Sequence, residues 1–131
     1  MDRDTPQRRA IRRVFSQSGR PMSPPELLSA AREDVPRMGL ATVYRTVRAL
    51  TDEGWLVPVE MPGEPQRYEC AGKGHHHHFN CSRCGGTFEV EGCPTGLETM
   101  VPKGFRMDTH EVFIYGLCGD CNDPLPKSRG R

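Results

Sequence analysis

The 131-residue sequence predicts an α+β fold in two small domains, a winged helix-turn-helix domain followed by a small α/β domain that contains zinc. Three observations predict this fold. Three helix-forming segments precede Gly54, two short strand-like segments follow that glycine, and two Cys-x2-Cys pairs lie farther along the chain. Domains of this size bury little apolar surface, so a bound ion is expected to stabilise the fold.

Each predicted helix has its own start and stop signals. Thr5-Pro6 is a capping residue followed by proline at the first helical position, and the first helix ends near Gly19. Ser23 begins the second helix with the Ser-x-x-Glu spacing of a capping box, and the helix is expected to stop before Pro36. The third helix spans residues 40–53 and is closed by Gly54.

The third helix has two faces of different composition. Apolar positions at helical spacing predict a core face of Leu40, Val43, Val47 and Leu50. The second face carries Ala41, Tyr44, Arg45 and Arg48. The sequence also has six arginines within residues 1–20, which indicate either a surface that binds DNA phosphates or a solvated helix face. The pattern alone therefore predicts either a helix suited to the major groove or a three-helix packing unit without a ligand.

After Gly54 the periodicity changes from helix to strand. Residues 55–60 and 66–70 predict a two-stranded wing that turns around Pro62-Gly63. Residues 1–70 then form the first domain, 71–74 a hinge, 75–121 the second domain and 122–131 a flexible tail. Strands are expected at 75–81, 87–91 and 110–117, with one helical turn near 97–101.

Four of the six cysteines form two Cys-x2-Cys pairs, Cys81 with Cys84 and Cys118 with Cys121. Two intervening residues let both thiolates of a turn point at one ion, and four thiolates form a closed tetrahedral site suited to structural Zn2+. The competing interpretation is a redox-active pair, which the presence of a second pair disfavours. The spacing therefore predicts a zinc site that stabilises the second domain.

Four consecutive histidines, His75 to His78, lead into the strand that delivers Cys81. Since neighbouring side chains of a strand point to opposite faces, His75 and His77 share one face and the other two histidines share the second. Each pair offers half a metal site, which nearby groups could complete: Glu69, Glu89, Glu98, Glu111 and His110. Neutral imidazole suits Zn, Fe, Mn or Ni, and the alternative is a solvated polar strand.

The motifs occur in a specific order: Gly-Leu-Ala-Thr-Val-Tyr-Arg-Thr at residues 39–46, the four histidines, Cys81-x2-Cys84-Gly85 and Cys118-x2-Cys121. In that order and spacing, over about residues 3–121, the chain resembles the ferric uptake regulator family. The resemblance implies an N-terminal winged-helix DNA-binding domain, a hinge, a C-terminal dimerisation domain and metal-dependent repression from palindromic operators.

The resemblance also implies two further metal sites. The regulatory site at the hinge falls on Glu69, His76, His78 and Glu89. The second site, within the dimerisation domain, falls on His75, His77, Glu98 and His110. A further hinge ligand of the family aligns with Pro21, which cannot ligate, so Cys70 or Glu60 is the alternative ligand. A thiolate there favours zinc, and an all N/O shell favours iron or manganese. Cys93 has no assigned role and reads as a buried small hydrophobe.

For DNA, the resemblance points to one helix and to the N-terminal arginines. The expected contacts are Arg3, Arg8, Ala41, Thr42, Tyr44 and Arg45. Tyrosine can contact a thymine methyl group, arginine can bond guanine in two places, and N-terminal arginines give salt-dependent affinity for phosphate.

The predicted function is a homodimeric, cytoplasmic transcriptional repressor that controls iron, manganese or zinc uptake, with structural Zn2+ and regulatory Fe2+, Mn2+ or Zn2+. Two related alternatives stay open: a peroxide sensor whose iron oxidises a ligand histidine, and a zinc-stabilised DNA-binding module without metal sensing. No enzyme activity or small organic substrate is expected, because a hydrolytic zinc motif is missing. No apolar run of about 18 residues occurs and the first residues are charged, so neither a membrane span nor a secretory signal is expected.

Overall fold

The computed structural model describes residues 5–123, which form two compact units that divide between Lys73 and Gly74. The division falls inside the predicted hinge at residues 71–74. Among the described residues, no helix is long and apolar enough to cross a membrane. Two predictions, the DNA contact at Arg3 and the flexible tail beyond residue 123, lie outside the described residues.

The first unit begins with three helices: α1 (Pro6–Ser18), α2 (Pro24–Ala31) and α3 (Leu40–Asp52). The predicted caps form as expected. The Thr5 hydroxyl accepts a hydrogen bond from the Arg8 amide at 3.1 Å, and Gly19 closes α1 in the left-handed region at φ 62°. Ser23 and Glu26 form a reciprocal capping box, in which the Ser23 amide donates to Glu26 Oε1 at 2.8 Å.

α2 ends at Ala31, earlier than the position of Pro36 alone predicts. The amides of Glu33 and Asp34 bond back only three residues, to the carbonyls of Ala30 and Ala31 at 3.3 and 3.0 Å. These tight turns replace another α-helical turn.

The core of the first unit lies between the three helices and the start of the wing. Its fully buried side chains include Ile11, Leu27, Val43, Leu50 and Leu56. The predicted apolar face of α3 is therefore buried, with one exception. Leu40 is 40% exposed because it is the first residue of the helix, where the core no longer covers it.

The wing consists of β1 (Leu56–Val59) and β2 (Arg67–Cys70), which pair antiparallel. The connecting turn passes through Gly63 at φ 79°, a left-handed conformation that favours glycine. Met22 and Tyr68 exchange two backbone hydrogen bonds of 2.9 Å, so the segment before α2 extends the wing by one bridge.

The second unit is a three-stranded sheet of β3 (His77–Cys81), β4 (Thr87–Val90) and β5 (Phe113–Gly116), with one 3-10 turn at Leu97–Met100. β3 is central, antiparallel to β4 and parallel to β5. Among the described residues of this unit, Cys81 is the one hydrophobic residue that is buried. The helices and small sheets confirm the α+β fold class, and the second unit has almost no apolar core of its own.

Candidate metal centres

The four paired cysteines lie together at one edge of the second sheet. Cys81 ends β3, and Cys118 and Cys121 follow β5, whose last residue Gly116 pairs with Cys81 in parallel register. Parallel strands end at the same edge, so both turns deliver their thiols to one place. The four Sγ atoms all lie within 4.8 Å of one another, and Cys84 Sγ is 3.9 Å from Cys118 Sγ. A tetrahedral Zn–S4 site with Zn–S bonds near 2.3 Å has S–S edges of about 3.8 Å.

The four thiols differ in acidity because their hydrogen bonds differ. Burial opposes ionisation of Cys81, but backbone N–H groups, that of Cys84 foremost, outweigh it and lower its pKa to about 6. Burial and the neighbouring thiols raise the pKa of Cys121 to about 12. Cys81 therefore ionises more readily than Cys121, and a bound cation would have to displace the proton of the Cys121 thiol. The donor set and its spacing fit structural zinc.

A second group of ligand atoms lies on the other side of the histidine run. Ring nitrogens of His75, His77 and His110 and the Sγ of Cys93 all lie within 4.8 Å of one another. His75 Nε2 is 3.2 Å from His110 Nε2, and His77 Nε2 is 3.3 Å from Cys93 Sγ. Glu98, the ligand implied by the resemblance, lies exposed on the 3-10 turn and is not in this group.

Cys93 corrects an expectation from the sequence. It is exposed on the loop after β4 rather than buried as a small hydrophobe. Its position was the available signal, because Cys93 lies three residues after Val90, the last residue of β4, which pairs with His77. The sequence pattern pointed to glutamates and His110 as partners for the histidines, and to Cys70 only at the hinge, and so the thiol of Cys93 was missed.

His77 is 1% exposed, and its surroundings favour the neutral imidazole that binds metal ions. Burial lowers its pKa, and the neighbouring His75 and His110 lower it further. The Val112 amide donates to His77 Nδ1 at 3.2 Å, which places the ring proton on Nε2. A cation on Nε2 requires the ring proton to move to Nδ1, and the Val112 amide then loses its acceptor at a cost of about 1–3 kcal/mol, which is small beside the roughly 10–16 kcal/mol of a structural zinc site.

Of the predicted hinge ligands, Glu69 belongs to the first unit and His76, His78 and Glu89 belong to the second. In the second unit, the rings of His76 and His78 lie 4.8 Å apart between centroids, and His78 pairs with Glu89 across the sheet. In the first unit, Glu69 is a buried residue of β2, and its carboxylate lies 3.9 Å from the Lys73 ammonium group. The even-numbered and odd-numbered histidines therefore make separate contacts, in keeping with the alternation expected of a strand.

The alternative hinge ligands are also placed. Cys70 is partly buried against the helical core, and this burial raises the pKa of its thiol. Glu60 is exposed just beyond β1. Pro21 is fully buried beside Met22, at the bridge to the wing, so packing accounts for a residue that cannot bind a metal.

The residues expected to contact DNA lie on α3, with one clear departure. Tyr44 is 52% exposed, Ala41 and Arg45 are exposed, and Arg45 Nη2 donates to Thr42 Oγ1 at 3.2 Å. Arg8 departs from the expectation, because its side chain is only 10% exposed.

Arg8 bonds both carboxylate oxygens of Glu53, at 2.9 and 3.1 Å. In this bidentate ion pair the guanidinium already bonds a carboxylate, and it is turned away from solvent. Arg8 therefore links α1 to the end of α3, and its side chain is not positioned to contact a DNA phosphate.

Three comparisons relate the chain to known proteins. The model of the ferric uptake regulator family matches residues 2–115. The ferric uptake regulation protein of Campylobacter jejuni is 30% identical over 128 residues, which cover 94% of this chain and 82% of that protein. A solved zinc-bound manganese uptake regulator has a TM-score of 0.77 at 27% identity, covering 89% of this chain and 91% of that one. The ferric uptake regulator of Francisella tularensis, solved with iron, has a TM-score of 0.68 at 25% identity, covering 93% and 96%.

Proteins of this family are DNA-binding dimeric regulators that act in metal homeostasis and peroxide stress. The family match spans most of this sequence and agrees with the fold of both units. The chain belongs to the ferric uptake regulator family.

Proposed function

We propose that the chain is a homodimeric, metal-dependent transcriptional repressor that binds palindromic operator DNA and controls the uptake of iron, manganese or zinc. The observation that carries the proposal is the combination of an exposed tyrosine and arginine on α3 with clustered metal ligands in the second unit. The regulator from Francisella tularensis with iron and the zinc-bound manganese uptake regulator support the same class of activity.

The DNA-binding step rests on α3. Its buried face of Val43, Val47 and Leu50 fixes the helix on the core, which leaves Tyr44 and Arg45 free of packing on the opposite side. A helix held in this way can enter the major groove, where arginine reads guanine and tyrosine contacts a thymine methyl group or a phosphate. Ala41 and Thr42, one turn earlier, would lie near the bases.

Dimerisation is proposed for the second unit because its apolar side chains face solvent. On and after β5, Ile114 is 39% exposed, Tyr115 52% and Leu117 39%. Met100 and Phe105 are 77% and 72% exposed. A soluble monomer rarely leaves so many large apolar groups uncovered, and a second copy of the chain would cover them.

Regulation is proposed to act through Glu69, His76, His78 and Glu89, the set carried over from the family. Cys70 is the alternative thiolate ligand. An all N/O set suits Fe2+ or Mn2+, whereas a set with Cys70 suits Zn2+. Binding of a cation by this set would bias the angle between the two recognition helices of the dimer, so that they reach half-sites about 34–36 Å apart.

Fluorescence anisotropy tests the proposal directly. The protein, with zinc retained at its four cysteines, is titrated onto DNA from upstream of its own gene under buffered Zn2+, Mn2+ or Fe2+ at fixed salt. Coupling of about 1–3 kcal/mol predicts that one of these ions raises affinity about 5- to 150-fold. Affinity that is equal with and without every ion would instead identify a DNA-binding module without metal sensing.

A further inference from the structure

We propose that Cys93 is the fourth ligand of the metal site formed by His75, His77 and His110, and that this three-imidazole, one-thiolate set selects Zn2+ over Fe2+ and Mn2+. The site would thus differ from the three-histidine, one-glutamate set that the resemblance implies. The inference rests on the proposed function for the biological role of the ion, whereas the ligand set stands on geometry alone.

The spacing of the four donor atoms matches a tetrahedral site. With Zn–N bonds near 2.05 Å and a Zn–S bond near 2.3 Å, the edges of a regular tetrahedron are about 3.3 Å between nitrogens and about 3.5 Å between nitrogen and sulfur. Two of the six edges in the structure are close to these values: 3.2 Å between His75 Nε2 and His110 Nε2, and 3.3 Å between His77 Nε2 and Cys93 Sγ. All four donor atoms lie within 4.8 Å of one another, so they are close enough to share one ion.

Strand register brings two of the histidines together. β5 runs parallel to β3 with Phe113 opposite His78. His110 and His75 each lie three residues before this pair, so they are level with each other at the start of the two strands. Their ring centroids are 4.8 Å apart.

A glycine turn brings Cys93 to the same edge. β4 ends at Val90, which pairs with His77. Gly92 then adopts φ 87°, a left-handed conformation that a residue with a Cβ rarely takes. The chain turns there, and Cys93 follows within hydrogen-bond distance of His77. The loop geometry therefore supplies the thiol, whereas Glu98 remains exposed on the 3-10 turn.

The chemistry of the four donor atoms determines which ion the site prefers. Thiolate is a soft ligand that favours Zn2+, whereas imidazole suits Fe2+ and carboxylate suits Mn2+. Four protein ligands also complete a tetrahedral shell, while Mn2+ prefers six oxygen-rich positions. For a divalent ion with these donors, affinity follows the order Mn2+, Fe2+, Zn2+ from weakest to strongest.

Cobalt spectroscopy of the full chain tests the ligand assignment. Protein that retains one zinc per chain, verified by native mass spectrometry, is titrated with Co2+ as a probe of tetrahedral thiolate coordination. The Cys93→Ser substitution and its control Glu98→Gln are each made in a Cys70→Ser background, so that a thiolate at the hinge cannot contribute a band. We expect a thiolate-to-cobalt charge-transfer band in Cys70→Ser and in Cys70→Ser/Glu98→Gln, and its loss in Cys70→Ser/Cys93→Ser.

Zinc competition against a chromophoric chelator provides a second readout. Loss of a group that merely supports a ligand costs about 10- to 100-fold in metal affinity, so loss of a ligand should cost more than about 100-fold. Cys93→Ser should show this loss at one site, while Glu98→Gln should keep wild-type affinity. Circular dichroism and the retained zinc would show that the variants are folded.

Several results would overturn the inference: a charge-transfer band that persists in Cys70→Ser/Cys93→Ser, the absence of a band in Cys70→Ser, or a zinc affinity that depends on Glu98 as strongly as on Cys93. None of these readouts involves DNA. Operator binding that ignores metal ions would therefore defeat the proposed function alone, and a cobalt band independent of Cys93 would defeat this inference alone.

Discussion

Replacing Cys121 with serine should unfold the second unit and leave the first unit folded. The second unit buries one hydrophobic residue among those described, Cys81, while twelve residues form the apolar core of the first unit. Ordering a backbone costs about 1–2 kcal/mol per residue, which is about 5–10 kcal/mol for the five residues of β3 alone. Burying one apolar side chain stabilises the fold by only about 1.5–3 kcal/mol. Binding of structural zinc contributes roughly 10–16 kcal/mol, which is large enough to offset this cost of ordering the backbone.

Hydrogen exchange with mass spectrometry measures the effect unit by unit. In Cys121→Ser, amides of β3, β4 and β5 should lose protection, while amides of α1 and α3 should keep it. Cys70→Ser is the matched control, because that cysteine packs on the first unit and lies outside the four-cysteine cluster. Sheet amides that stay protected in Cys121→Ser would refute the reasoning, because the fold of the second unit would then not depend on the ion.

Three further predictions concern the first unit, whose unfolding can be followed through Trp55, the one tryptophan of the chain, packed edge-on against a core phenylalanine. Leu27→Ala should lower the free energy of unfolding in urea by about 2–5 kcal/mol, because the side chain is fully buried; a loss under 1 kcal/mol would contradict that packing. Burial raises the pKa of Glu26, but bonds from the Ser23 amide and from Arg67 outweigh it and hold the pKa below its usual 4.5. This stabilisation is therefore complete above about pH 4.5 and is lost as pH falls through the lowered pKa, and Glu26→Gln should flatten the acid limb of the stability curve. Arg45→Ala should weaken operator binding by about 1–3 kcal/mol in anisotropy titrations, with the change concentrated on guanine-containing half-sites.

The sequence predicted the first unit well because its signals are local. The proline after Thr5, the capping box of Ser23 and the glycine after α1 each specify a helix end through bonds within four residues. The periodicity of α3 likewise specified which face would be buried. Leu40 broke the pattern because burial at a helix end depends on how far the neighbouring helices extend.

The metal ligands were less predictable because they depend on strand order and loop path. Strand alternation divided the four histidines between two faces from sequence alone. The arrival of Cys93 instead of Glu98 beside His77 depends on the turn at Gly92, which periodicity does not describe. Arg8 failed as a predicted DNA contact for a similar reason, since its partner Glu53 lies 45 positions away in the chain.

The most direct test of metal-dependent repression compares operator affinity of the wild type and the His76→Ala/His78→Ala double variant, with and without the activating ion. Both proteins keep the four cysteines, so their zinc content and second-unit protection should be equal. We expect the ion to raise wild-type affinity about 5- to 150-fold and to leave the variant at the metal-free value. A double variant that still binds its operator only when the ion is added would contradict the assignment of the regulatory site.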